Sequence, residues 1–149
     1  MNAFKFVPEG WNNEITKVNQ NNIKTYIENQ ETLQGLVKNC DDKYNLYVSF
    51  ENGLKGKIPR EEVEGINLQE DGLPKTNLCT GKVHKFVQFK VKDIDNQNNI
   101  ILSRKEVQKE ALEWVKEDLQ EGEKVTGIVK SIKPYGAFVE IGGGIVGLV

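Results

Sequence analysis

The chain has 149 residues, 38% hydrophobic and 28% charged, which suits one domain or two small ones with a packed core and argues against disorder. Its 20 Lys and Arg against 22 Asp and Glu leave a net charge of −2, so phosphate neutralisation alone is a poor basis for binding nucleic acid. The sequence has no apolar run of bilayer length and no signal-peptide pattern; a lone histidine, His84, leaves little for a metal site or a catalytic triad, and Cys40 and Cys79 fit no metal or redox spacing, so both read as buried thiols in a reducing cytoplasm.

Residues 1–30 are Asn-rich. Phe4, Phe6 and Trp11 precede a weak helical spacing at Ile15, Val18, Ile23, Tyr26 and Ile27, which predicts an N-terminal arm with some helix, packed on the first barrel. Residues 31–40 read as the first strand of that barrel, with Leu33 and Val37 on one face and Gly35 permitting a bend. Residues 44–51 alternate: Tyr44, Leu46, Val48 and Phe50 inward, Asn45, Tyr47, Ser49 and Glu51 outward. A turn at Asn52-Gly53 leads to a short strand at 54–58, and Pro59 starts a helical turn with Glu61 and Glu62 where a helix dipole favours them.

A long connection with the breakers Gly72 and Pro74 runs to about residue 80. Residues 81–94 predict a fourth strand, with Val83, Val87, Phe89 and Val91 inward and Lys82, His84, Phe86, Gln88, Lys90 and Lys92 outward. A turn over 95–98 and a strand at 100–103 complete the set. The class is mainly β: five antiparallel strands with a long connection after the third suit a small Greek-key barrel over 31–104.

Ser103 and Glu106 form an S-x-x-E capping box. Val107, Ala111, Trp114, Val115 and Leu119 follow at helical spacing, and Gly122 stops the run. This predicts a linker α-helix over 105–121 whose apolar stripe packs on a barrel. The acidic excess sits here: residues 103–121 hold six acids and four bases, whereas 31–104 hold eleven of each.

The chain then repeats itself. LQGLVKNC (33–40) matches VTGIVKSI (125–132) at an offset of 92, pairing Leu33 with Val125, Gly35 with Gly127, Val37 with Val129 and Cys40 with Ile132. YNLYVSFENGLKGKI (44–58) matches YGAFVEIGGGIVGLV (135–149) at an offset of 91, pairing Tyr44 with Tyr135, Tyr47 with Phe138, Val48 with Val139 and Gly56 with Gly147. One residue inserted in a loop explains the change of offset. The second copy, 122–149, holds only the first three strands, which predicts that the natural protein continues and that 123–149 is mispaired, swapped or poorly ordered.

The residues GEKVTGIVKSIKPYGAFVEIGGGIVGLV (122–149), with the Gly35–Val37 opening, Tyr44 to Val48, Gly56 and DIDNQNNIILSRK (93–105), resemble the S-one RNA-binding domain, an OB-fold repeat. The arm and the IPREE segment (58–62) look similar to tandem, ribosomal-S-one-like proteins of low-GC Gram-positive bacteria. The resemblance implies a five-stranded antiparallel OB-fold barrel, a linker helix and a partial second OB barrel. It also implies binding of single-stranded RNA through Tyr135 and Phe138 in the second copy, Tyr44 and Tyr47 in the first, and Asp95 and Asn99 at the last turn. Asn99 stands where the family usually has Arg, and Pro59 where it usually has His.

Stacking suits such a site because unpaired bases present π-faces that aromatics grip irrespective of sequence. Strict alternation puts Phe138 and Tyr47 outside but Tyr135 with Ala137 and Val139, unless Gly136 kinks the strand. Lys130 and Lys133 in the second copy, and Lys57, Arg60 and Lys90 in the first, are candidate phosphate contacts; a solvated strand rim accounts for such lysines equally well. The expected partner is single-stranded RNA, with the ribosome as a further candidate, and no membrane, small-molecule substrate or cofactor. The competing reading is a protein-interaction scaffold whose first barrel has lost RNA binding. No nucleophile–base pair or phosphate loop points to an enzyme, and Gly142-Gly143-Gly144 joins two strands as a turn.

Overall fold

The computed structural model describes residues 6–118, 120–122 and 124–149, so the expectations on Phe4 and Leu119 lie outside the described residues. The alternating segments fold as expected into β1 (Leu33–Cys40), β2 (Leu46–Ser49), β3 (Lys55–Ile58), β4 (Phe86–Ile94) and β5 (Asn99–Ser103). They close a barrel in the order β1-β2-β3-β5-β4. Four pairings are antiparallel; the closing pair, β3 with β5, is parallel, because the long connection leads into β4 and the β4–β5 hairpin then sends β5 along β3 in the same direction. Leu46, Val48, Ile58, Val87, Phe89, Val91, Ile100 and Leu102 fill the interior, and Cys79 is buried with them as a free thiol.

β4 is shorter than the alternation predicts. Residues 76–80 form a short helix, α2 (Thr76–Thr80), and the chain turns through His84 at φ +65° before the strand begins at Phe86. Lys82 and His84 therefore precede the strand. The outward face of β4 is also covered. Gln88 and Lys90 are buried, because the arm, its helix α1 (Ile23–Asn29) and the helix after β5 lie against it. Val18 of the arm is fully buried, and Thr16 exchanges hydrogen bonds with Gln34 of β1.

Ser103 caps α3 (Arg104–Glu113): its Oγ accepts from the Glu106 N–H at 3.1 Å. The hydroxyl itself donates to Glu62 Oε1 at 2.6 Å, tying the cap to the segment after β3. The helix widens into a π-turn at Trp114–Asp118, and Trp114 packs against Phe6 of the arm with ring centroids 5.4 Å apart. So α3 lies along the barrel as well as leading away from it.

The second copy forms β6 (Ile128–Lys133), β7 (Gly136–Gly142) and β8 (Ile145–Leu148), a three-stranded sheet in that order. Its register reproduces that of the first. Val129 pairs with Val139 as Val37 pairs with Val48, and Val139 pairs with Gly147 as Val48 pairs with Gly56. The β-bulge falls between Val129 and Ser131 as it falls between Val37 and Asn39, leaving Lys130 and Lys38 as the bulged residues. The sheet docks on its own chain. The triple-glycine turn after β7 does more than reverse direction: a Cβ on Gly142, Gly143 or Gly144 would meet Phe6, Ala111 or Arg104 at 2.7, 2.6 and 2.5 Å.

A buried ionic network lies under this contact. The Arg104 guanidinium donates to both oxygens of Glu9 and to Val63 O, and pairs with Glu64 at 2.8 Å. Gln108 and Lys82 also bind Glu64. Glu140 of β7 accepts from the N–H groups of Glu9 and Gly144. Burial raises the Glu9 pKa, but the charge and hydrogen bonds of Arg104 outweigh it and hold the group below its ordinary value. Burial and the neighbouring Glu9 push Glu140 up. Among the described residues, no helix is long and apolar enough to cross a membrane and no cluster of three or more His, Cys, Asp or Glu could hold a metal ion.

Candidate nucleic-acid interface

Cross-strand partners share a face, so pairing places the candidate residues. In the first copy Tyr47 on β2 lies opposite Lys57 on β3, and Lys55 lies opposite Asn99 on β5. Two loops frame this face. The β1–β2 loop, DDKYN (41–45), and the β4–β5 loop, DNQNN (95–99), have one hydrogen-bond pattern. In each, the Asp N–H donates to the carbonyl of the Asn four residues on. Asp41 Oδ1 accepts from the N–H groups of Lys43 and Asn45, as Asp95 Oδ1 does from Gln97 and Asn99. The Asn amide returns to the other carboxylate oxygen in both. The fourth residue is left-handed in both: Tyr44 at φ +67° and Asn98 at φ +62°.

These carboxylates colour the face. Burial raises Asp41, but hydrogen bonds from Asn45, Tyr47 and Lys43 outweigh it and lower its pKa. The Asn99 N–H is the largest cause lowering Asp95. Tyr47 donates its hydroxyl to Asp41 Oδ2 at 2.9 Å, and burial together with that carboxylate pushes its pKa to about 12. Tyr47 is therefore half-buried and hydrogen-bonded, and both twin-loop carboxylates act on it.

Three candidates of the first copy are engaged elsewhere. Arg60 donates to Pro74 O and lies 5.2 Å over the Tyr44 ring, which packs against the barrel core. Alternation sets Lys90 on an open lysine face; instead it is 5% exposed, donates to Gln30 O and pairs with Glu110. The cause is tertiary: alternation alone does not reveal that the arm and α3 cover β4.

The second copy brings its aromatics together. Tyr135 sits with Pro134 at the tip of the β6–β7 hairpin, outside the strands, and is 69% exposed. Gly136 takes φ +149°, and a Cβ there would meet Val149 O at 2.4 Å, so glycine is required at the start of β7. The Tyr135 and Phe138 rings meet edge to face, 6.3 Å apart and 88° between planes. Phe138 faces Ser131 and Leu148 across the sheet. Lys133 is exposed at the base of the hairpin, and Lys130 reaches Glu140 at 3.6 Å. The exposed bulge lysine Lys38 is not among the sequence candidates, although aligning LQGLVKNC with VTGIVKSI sets it on Lys130.

This chain is similar to known proteins. A family model described as the S1 RNA binding domain matches residues 26–105 and again 118–149. The small ribosomal subunit protein bS1 of Pseudomonas aeruginosa is 45% identical over 67 residues, covering 40% of this chain and 11% of that protein. Its counterpart in Rhizobium meliloti is 29% identical over 146 residues, covering 81% of this chain and 26% of that protein. The chain thus spans about a quarter or less of the length of these relatives. The solution structure of GSP13 from Bacillus subtilis matches with a TM-score of 0.37 at 18% identity, over 64% of this chain and 62% of that one.

Proposed function

The chain belongs to the S1 RNA binding domain family, and from that premise we propose that it binds single-stranded RNA without catalysis, chiefly through its second repeat. The observation that carries this reading is the contact of the exposed Tyr135, at the hairpin tip, with the half-buried Phe138 on β7, their rings edge to face and Lys133 at the base of the same hairpin. A splayed base laid on such a ring gains about 1–3 kcal/mol. The division into an arm (1–30), a first repeat (31–104), a helix (105–121) and the opening of a second repeat (122–149) belongs to the same proposal. So does action in the cytoplasm, with the ribosome as the first partner to test, since the relatives are small ribosomal subunit proteins.

A second reading applies to the first barrel alone. Its Tyr47 is flanked by Asp41 and Asp95, its Tyr44 is covered by Arg60, and its Lys90 is buried. Carboxylates repel phosphates, so this barrel serves best as the platform on which the second repeat is mounted, or as a surface for protein partners. Fluorescence anisotropy of a labelled oligouridine separates the two. Saturable binding that Phe138→Ala weakens and Tyr44→Ala spares supports the division. Equal loss in Tyr47→Phe and Phe138→Ala would return the first barrel to the site, and no binding at tens of micromolar would defeat the RNA reading.

A further inference from the structure

A cleft of about 580 Å³ lies between the first barrel and the second sheet. Lys82, His84, Lys85 and Phe86 line one wall, from the turn that leads into β4; Lys130 and Val146 line the other. The volume falls within the range of small-ligand sites, about 300–1,000 Å³. Its floor holds three carboxylates, Glu9, Glu64 and Glu140, already engaged by Arg104, Gln108, Lys82 and backbone N–H groups. Four lining cations therefore meet three carboxylates, and the excess lies at the exposed Lys85, which has no ion pair among the described residues.

The cleft also continues the aromatic face. Phe138 pairs with Leu148, and two residues along β7 Glu140 pairs with Val146. Alternation puts these four on one side of the sheet. A strand held on Phe138 thus runs over Leu148 to Val146 and into the cleft. The Phe86 side chain rests on Gly10, its Cβ, Cδ2 and Cγ 3.3–3.6 Å from where a Cβ there would stand, while the residue also lines the cleft. The buried network holds the walls in place, so a ligand does not have to order them.

We propose that this cleft is a second contact for single-stranded RNA. It takes one or two nucleotides between the repeats, with phosphate against Lys85 and Lys130 and a base against Phe86 and Val146. The proposal rests on the RNA-binding reading above and extends it to a track shared by both repeats.

The test uses the full chain and an oligouridine containing 4-thiouridine, cross-linked by light and mapped by mass spectrometry. Cross-links are expected in peptides carrying Phe86 as well as Phe138. In anisotropy titrations Lys85→Glu and the cleft-blocking Val146→Glu are each expected to weaken binding about five- to tenfold, and Lys85→Ala to lower the salt slope by about 0.7. Both positions are exposed, so neither change needs the core to move. Binding that persists in both charge variants, with cross-links confined to the Tyr135–Phe138 hairpin, would remove the cleft and leave the RNA reading intact. Absence of binding by the natural chain would overturn both and leave the groove to a protein partner.

Discussion

The Glu140 carboxylate accepts a hydrogen bond at 2.7 Å from the backbone N–H of Glu9, 131 positions earlier in the chain. The N-terminal arm thus holds β7, and the bond has a pH signature. Glu140 lies above its ordinary pKa, through burial first and Glu9 second. Its contribution to stability is fully present below its unfolded pKa and is lost as pH rises through its folded pKa. Glu9 is lowered, so its contribution is present above its unfolded pKa and is lost as pH falls through its folded one. Glu140→Gln is therefore expected to gain stability over the natural chain as pH rises from about 4 to 8. Urea unfolding of both chains across that range reads the difference; a pH-independent difference would remove Glu140 from the account.

Arg104→Met should be costly. Arg104 is 4% exposed, and its guanidinium serves two buried carboxylates, Glu9 and Glu64. Removing one partner of a buried ion pair typically costs about 3–5 kcal/mol, because the remaining charge is uncompensated. The urea midpoint at neutral pH should fall accordingly. A loss under about 1 kcal/mol would mean that water reaches the two carboxylates.

Gly56 and Gly147 occupy one position in the two repeats but have different surroundings. A Cβ on Gly56 would meet Leu102 at 2.6 Å and Phe50 at 2.7 Å, whereas nothing lies within 4 Å of one on Gly147. Gly56→Ala should destabilise by about 1–3 kcal/mol through overpacking, and Gly147→Ala should stay within about 0.5 kcal/mol of the natural chain. Thermal unfolding of the two variants checks the contrast. Equal effects would contradict the difference between a roofed barrel and an open sheet.

Phe138→Ala and Tyr135→Ala should each weaken oligouridine binding by about 1–3 kcal/mol, roughly 5- to 150-fold in Kd. Tyr44→Ala should instead lower the melting temperature and leave affinity unchanged, because that ring packs on the barrel core beneath Arg60. Loss of affinity in Tyr44→Ala at full stability would reverse the assignment.

Much of this fold is legible in the sequence, for a local reason. Strand alternation and the Ser103 cap are short-range signals, and the match of two short stretches at offsets of 92 and 91 needs no knowledge of packing; together they locate the β1–β2 and β6–β7 hairpins and their equivalence. Lys90 shows where local signals end. It alternates with Phe89 and Val91 as an outward residue should, yet the arm and α3 cover it. Tyr135 departs in another way: alternation assumes a strand, and the residue sits on a hairpin tip. Glu9 carries no signal at all, since its role depends on Arg104 and Glu140, which are distant in sequence.

Five residues separate Cys40 from its partner Leu46, and four separate Ile132 from Ala137. Within the longer span Tyr44 turns left-handed and folds onto the interior; within the shorter, its counterpart Tyr135 stands in solvent. A difference of one residue in the turn thus accompanies an inward aromatic in one repeat and an outward one in the other. Two copies of one strand pattern can therefore carry the same aromatic at matching positions and still present it to opposite environments.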